Sequence, residues 1–232
     1  MKRILNIARW LIGVTLIFVL LVAAVTISQE SVLRAVVVNI DYAGENYFIE
    51  KEELEESIFD LGYVLDSTAM SSIDPANIEH MLENNAFISD AEVYKELNGK
   101  LHLDVRARKP VVRVFNDLGI SVYIDEEGVI MPLSSHYSSR VMVANGAISL
   151  MLHQFIGKNV LDLLEDNVHP EAEILANIFK VASFTAKDDF WNAQFNQVFI
   201  NEKKEIELIP RVGDHQIQIG KADDLEEKLN KL

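Results

Sequence analysis

The side chains able to carry chemistry are scattered along this chain. Six histidines, His80, His102, His136, His153, His169 and His215, have no i, i+4 partner and no carboxylates at ligand spacing. A zinc site calls for such clustered ligands, and a general base for a neighbour that orients it. The run "SSHYSS", Ser134 to Ser139, sets serines beside a histidine. It lacks the G-x-S-x-G elbow that exposes a nucleophilic serine, so it reads as a polar loop. Glu50 to Glu56 is rich in carboxylates but lacks the glycine and ligand spacing of a calcium loop. It reads as the solvated face of a helix, and Asp125, Glu126 and Glu127 before Gly128 read as a turn. There is no glycine-rich phosphate loop. There is no cysteine, which removes disulfides, thiol catalysis and cysteine-based zinc. The expectation is a protein without catalytic residues, cofactor or metal.

The elements around these residues begin with an apolar run. Trp10 to Ile27, "WLIGVTLIFVLLVAAVTI", carries no charge. At about 1.5 Å per residue it is long enough to cross a hydrocarbon core of about 30 Å with help from its flanks. Trp10, Ile12, Leu16, Phe18, Leu20 and Val25 are its expected membrane-anchor residues. Lys2, Arg3 and Arg9 precede it and no acidic residue appears before Glu30, which places the N-terminus in the cytoplasm and the rest across the membrane. A cleaved signal peptide, with Val22 and Ala24 at the cleavage positions, is the alternative. The run is longer than the usual h-region and continues past that site, which favours an uncleaved anchor.

The whole chain has 21 basic and 36 acidic residues. Without Lys2, Arg3 and Arg9, 18 basic residues face 36 acidic ones, a net of −18. So acidic a domain repels nucleic acid and anionic lipid at long range. The extracytoplasmic part is expected to bind proteins or act as a spacer.

Ala35 to Tyr42 alternates, with Val36, Val38, Ile40 and Tyr42 on one face, as a strand does. Leu54, Ile58 and Leu61 follow helical spacing, with Ile49 placed to staple and Gly62 to stop the helix. Asp74-Pro75 reads as an N-cap followed by proline at the first helical position, before an apolar stripe of Ile78, Met81 and Leu82. Ile88 to Leu97 and Lys100 to Arg108 form a hairpin across Asn98-Gly99. The order is strand, helix, helix, strand, strand.

Pro110 then interrupts "LNGKLHLDVRARKPVVRV", Leu97 to Val114, and β-branched residues resume at once. Proline lacks the backbone donor of a central strand but can stand where a chain leaves one sheet for another. Arg108, Lys109 and Pro110 thus read as a stiff domain junction; an edge-strand bulge within one domain is the competing reading. Beyond it, Val111 to Phe115, Ser121 to Ile124 and Val129 to Leu133 read as strands. Leu150 to Leu164 is mixed and helical in its second half. A helix starts at His169-Pro170, with Ile174, Ile178, Val181 and Phe184 inward. Phe195 to Ile200, Glu205 to Pro210 and His215 to Ile219 form a meander with a tight turn at Gly213-Asp214. Ile217 and Ile219 share one face, and Gln216 and Gln218 the other. Asp223 to Leu232 is a helix whose Leu225, Leu229 and Leu232 are expected to point at a missing neighbour.

An N-terminal anchor followed directly by β-α-α-β-β resembles the FtsQ/DivIB family of bacterial cell-division proteins, whose first extracytoplasmic unit is a POTRA domain. Val105, Arg108, Pro110 and Val111 fall on the family's junction signature, V-x-E-R-x-P-V-A; Ala107 and Val112 depart from it. "GVIMPL", Gly128 to Leu133, and "IQIGKADDLEEKLNKL", Ile217 to Leu232, are similar to later family segments. The resemblance implies an α+β protein in three parts. These are a cytoplasmic tail and transmembrane anchor over 1–28, a POTRA domain over 34–109, and a second, mainly antiparallel β domain with helices over 110–232. In the family a further strand follows the last helix, so one expectation is that 110–232 is truncated at its C-terminus.

The resemblance also implies a non-catalytic divisome scaffold in the inner membrane at the division septum. It would be single-pass, with its N-terminus cytoplasmic and its bulk periplasmic. The implied partners are FtsB/DivIC-like and FtsL-like coiled-coil membrane proteins and, through them, the septal peptidoglycan synthase complex. Exposed sheet edges suit such a role, because an unpaired strand can accept a partner strand. The expected docking strips are the POTRA sheet edge and the edge of the second domain near Ile217 to Ile219; the expected docking residues are Gln216, Ile217, Gln218 and Ile219 on the last strand, with Arg106 and Arg108 on the outward POTRA face. The alternative class is a membrane-anchored enzyme acting on cell-wall material through an unrecognised site.

Overall fold

A computed structural model describes residues 10–22, 31–44, 46–165, 171–213 and 215–231. It divides into two compact units: Met1–Asp41 with Ile49–Arg106, and Tyr42–Phe48 with Ala107–Leu232.

Residues 10–22 form a helix with Trp10, Ile12, Leu16, Phe18 and Leu20 exposed along it. Val25 and the rest of the expected span lie outside the described residues. Among the described residues no helix is long and apolar enough to cross a membrane.

The rest of the first unit is built on β1 (Ala35–Asp41), α1 (Lys51–Asp60), α2 (Pro75–Glu83), β2 (Ile88–Lys95) and β3 (Lys100–Ala107). The sheet order is β1-β3-β2, with β1 parallel to the central β3. Alternation decides which face is apolar: Leu101, Leu103 and Val105 are buried, while Asp104 and Arg106 lie on the opposite face. Leu54 and Ile58 of α1 and Ile78 and Leu82 of α2 close the core. The expected cap is present, since Asp74 Oδ1 accepts from the Asn77 N–H at 3.5 Å with Pro75 starting the helix. In the β2–β3 turn Gly99 takes φ 88°, and a Cβ there would overlap the Val32 carbonyl oxygen. Only glycine suits both demands. Ile49 is buried, as a staple residue should be, whereas Tyr42 follows the end of β1 and belongs to the second unit.

The second unit contains β4 (Pro110–Phe115), β5 (Ser121–Asp125), β6 (Ile130–Met131), β7 (Met142–Gly146), α3 (Val160–Glu165), α4 (Ala172–Ala186) and α5 (Asp189–Gln194). It continues with β8 (Phe195–Ile200), β9 (Ile206–Pro210), β10 (Ile217–Gly220) and α6 (Leu225–Leu229). The seven strands run β10-β9-β8-β7-β4-β5-β6. Four pairings are antiparallel, and β7 is parallel to both its neighbours, β4 and β8. Pro110 opens β4 opposite Asp125, with a register shift before Val112, so the missing donor falls at the strand's first residue. One core joins Val112, Val114, Ile124, Ala144, Val198 and Leu208 of the sheet to Ile174, Ile178 and Val181 of α4, with Phe184 packed against it.

Several expectations change here. The stretch 150–164 is a short 3-10 turn, Leu152–Phe155, followed by α3, and β6 is two residues long. His169, Pro170, Asp214 and Leu232 lie outside the described residues. Leu225 and Leu229 do not point at a missing neighbour. Leu229 is 1% exposed, and both leucines complete the unit's own core.

Candidate functional site

Two rims bound the seven-stranded sheet, and the chain treats them differently. Along β6 the Ile130 N–H donates to the Lys158 carbonyl at 3.0 Å, and the Gly157 N–H donates to the Ile130 carbonyl at 2.8 Å. Val129 and Asn159 add an antiparallel bridge. That rim is closed by the chain itself. At the other end β10 pairs with β9 on one side. Among the described residues no backbone group bonds to its outer side.

The side chains of β10 divide as the sequence predicts. Ile219 is buried in the core and Ile217 packs against it, while Gln218 is exposed; Gln216 is exposed too but lies just before the strand, which starts at Ile217 and not at His215. The isoleucines therefore fix the strand, and the outer backbone groups and two glutamines remain available. Charged pairs flank the strand's C-terminal end. Lys221 Nζ donates to Glu173 at 2.9 Å, and that hydrogen bond and the carboxylate's charge hold Lys221 above its ordinary pKa. The hydrogen bond from Lys228, at 3.0 Å, is the largest cause holding Asp223 below the usual carboxylate value.

The two predicted arginines have different fates. Arg106 is exposed on β3, the central strand of its sheet, so it lies on a face and not on a rim. Arg108 is turned into the second unit. Its side chain is 14% exposed, and Nη1 lies 2.8 Å from Asp125 Oδ2 and 3.3 Å from Glu127 Oε2. The guanidinium thus holds the junction segment to the β5–β6 turn. Lys109 pairs with Glu126 at 3.4 Å on the surface. The sequence carried little signal for the Arg108–Asp125 pair, because it joins residues seventeen positions apart.

A groove of about 680 Å³ lies within the second unit, lined by Asn46, Tyr47, Tyr137, Ser139 and Arg140 among others. Ser139 Oγ donates to Asn46 Oδ1 at 2.7 Å, and Tyr47 and Tyr137 meet edge to face at 6.0 Å. Its lining includes Ser138 and Ser139 of the serine-histidine run but neither an imidazole nor a carboxylate that could act as their base. Of the histidines, His80 contacts Asn84 at 3.1 Å, and His102 stacks on Tyr94 with ring centroids 4.8 Å apart. Among the described residues no three His, Asp or Glu side chains could hold a metal ion together.

The three-stranded β-α-α-β-β unit and the seven-stranded mixed sheet make this an α+β protein of two units. Residues 31–106 match the POTRA-like domain. Residues 109–232, just over half of the chain, match the family described as "FtsQ/DivIB, C-terminal related". The chain belongs to the FtsQ/DivIB family. Membership implies a role in cell division, and proteins of this family are generally non-catalytic. No curated protein matches the chain.

Proposed function

We propose that this chain is a non-catalytic scaffold of the division machinery, acting through the open rim of β10. One observation supports this reading above the others: β6 is closed by residues 157–159, whereas β10 has no backbone partner on its outer side among the described residues. An extended partner segment laid along β10 gains main-chain hydrogen bonds, and the exposed Gln216 and Gln218 supply selectivity. The partners in this reading are FtsB/DivIC-like and FtsL-like coiled-coil membrane proteins, which lead to the septal peptidoglycan synthase complex. Trp10 to Ile27 anchors the chain in the cytoplasmic membrane with the N-terminus inside and both units outside, at the septum. Tethering in one bilayer raises the effective concentration of each partner.

Depletion of the protein is expected to give long undivided cells. A photo-crosslinking residue at Gln216 or Gln218 is expected to capture the coiled-coil partner in dividing cells, and one at Glu55 on α1 is not. Normal septation on depletion, or equal capture from both places, contradicts the reading.

A further inference from the structure

Outside helix 10–22, six large apolar or aromatic side chains of the first unit are exposed among the described residues: Phe59, Leu61, Val64, Leu65, Tyr94 and Leu97. Tyr94 stacks on His102, with ring centroids 4.8 Å apart. The other five sit in two places, the end of α1 with the loop after it and the β2–β3 turn. Val64 is 56% exposed and Leu97 is 65% exposed. The loop after α1 is a built turn: the Val64 N–H donates to Thr68 Oγ1 at 2.7 Å, and the Thr68 N–H returns to the Val64 carbonyl at 3.0 Å. Its apolar side chains are therefore held out in water, where they gain nothing.

Hydrogen bonds tie both places to one short segment, Ser31 to Arg34. The Leu33 N–H donates to the Thr68 carbonyl at 2.8 Å, and the Asp66 N–H donates to the Leu33 carbonyl at 2.7 Å. The Met70 N–H donates to the Ser31 carbonyl at 2.9 Å. From the β2–β3 turn, the Gly99 carbonyl accepts from the Arg34 N–H at 2.7 Å.

That segment is where the chain arrives from the apolar run. Ile27 and Ser31 are four positions apart. At no more than about 3.6 Å per residue, their Cα atoms lie within about 14 Å of each other. The headgroup layer itself adds about 5–8 Å outside the hydrocarbon core. Both loops thus stand beside the point where the unit joins its anchor. Charge at this end also differs from the rest of the unit. Ser31 to Arg106 holds 5 basic and 16 acidic residues. Around the two loops the balance is even, with Arg34, Lys95 and Lys100 against Asp60, Asp66 and Glu96. The field that repels anionic lipid from the unit as a whole is locally cancelled here.

We propose that the Phe59–Leu65 segment and the Leu97 turn form a membrane-contact surface, which rests its apolar side chains in the interface of the bilayer that holds the anchor. Apolar exposure of this kind, gathered at one end and rimmed by polar residues, marks an interaction surface. The covalent tether selects lipid as its occupant, because the bilayer is always within reach and even a weak contact is then populated. The contact orients the first unit on the membrane. This inference rests on the anchor reading of Trp10 to Ile27 and is independent of docking at β10.

The chain has no cysteine, so one introduced thiol carries a fluorescent label at a chosen place. Val64→Cys and Leu97→Cys report on the two loops. Asp90→Cys is the control: Asp90 is exposed near the start of β2, at the other end of the sheet, where Ser89 Oγ donates to the Arg106 carbonyl at 3.2 Å. Each labelled full chain is reconstituted into phosphatidylcholine vesicles carrying a lipid with a nitroxide near its headgroup. Quenching is expected to be at least about threefold stronger at Val64 and Leu97 than at Asp90. Leu61→Glu with Leu65→Glu is expected to reduce quenching at Val64 by more than half. The three-label comparison needs neither glutamate, so it decides the matter even if the double variant fails to fold. Flotation of the vesicles tests the anchor separately. Protein that floats but is quenched equally at all three positions, or at none, overturns the contact surface and leaves the anchor standing. Protein that does not float overturns the anchor reading and this inference with it.

Discussion

Gly146→Ala is expected to destabilise the second unit by about 2–6 kcal/mol, adding backbone strain to overpacking. Gly146 ends β7, the strand parallel to both its neighbours, and pairs with Ile200 of β8. Its φ is 110°, a conformation L side chains rarely adopt. A Cβ there would overlap the Ile200 carbonyl oxygen and sit 2.8 Å from the Ile200 nitrogen. Both are backbone atoms of a core strand, so no rotamer change relieves them. Denaturant unfolding followed by Trp191 fluorescence, in a Trp10→Phe background, reads the effect; Trp191 stacks on Phe195 in this unit. An unchanged midpoint would mean that β7 and β8 do not meet in this register.

Asp125→Ala is expected to cost about 3–5 kcal/mol, the range for breaking a buried ion pair. Asp125 is 1% exposed. Besides Arg108 it accepts from the Val129 N–H at 2.7 Å and the Glu127 N–H at 3.0 Å. Its removal leaves two backbone donors and a mostly buried guanidinium, with the exposed Glu127 as the remaining carboxylate. Glu126→Ala breaks the neighbouring Lys109 pair, which is half exposed, and is expected to cost under about 1 kcal/mol. Comparing the two midpoints separates the buried lock from the surface pair. Equal small losses would show that Arg108 does not hold the junction through Asp125.

The contrast between these two sites reflects what a single sequence can express. The first unit was legible because its signals are local: strict alternation in Leu101 to Val105, Asn98-Gly99 at the turn, and Asp74-Pro75 at a helix start. The proline signal was local too, and Pro110 does open a strand of the second sheet. By contrast, β7 is five residues long and lies in the middle of its sheet, so its apolar run has no clean alternation and no flanking hairpin turn. The short helix α5 depends on Asp188, which caps the Phe190 and Trp191 amides, and two aromatic neighbours masked its helical character. Burial of Leu225 and Leu229 depends on where β10 lies, and periodicity says only that they share a face. The open rim was readable as a strand with glutamines on one side. That the opposite rim is closed was not, because residues 157–159 have no strand pattern.

The most direct measurement is amide hydrogen exchange over Ile217 to Gly220 in the full chain, with and without the extracytoplasmic coiled coil of an FtsB/DivIC-like partner. Strand addition predicts that outward amides of β10, fast to exchange alone, slow at least tenfold on binding, while β6 is unaffected. Tight binding that leaves β10 exchange unchanged would contradict docking on this rim.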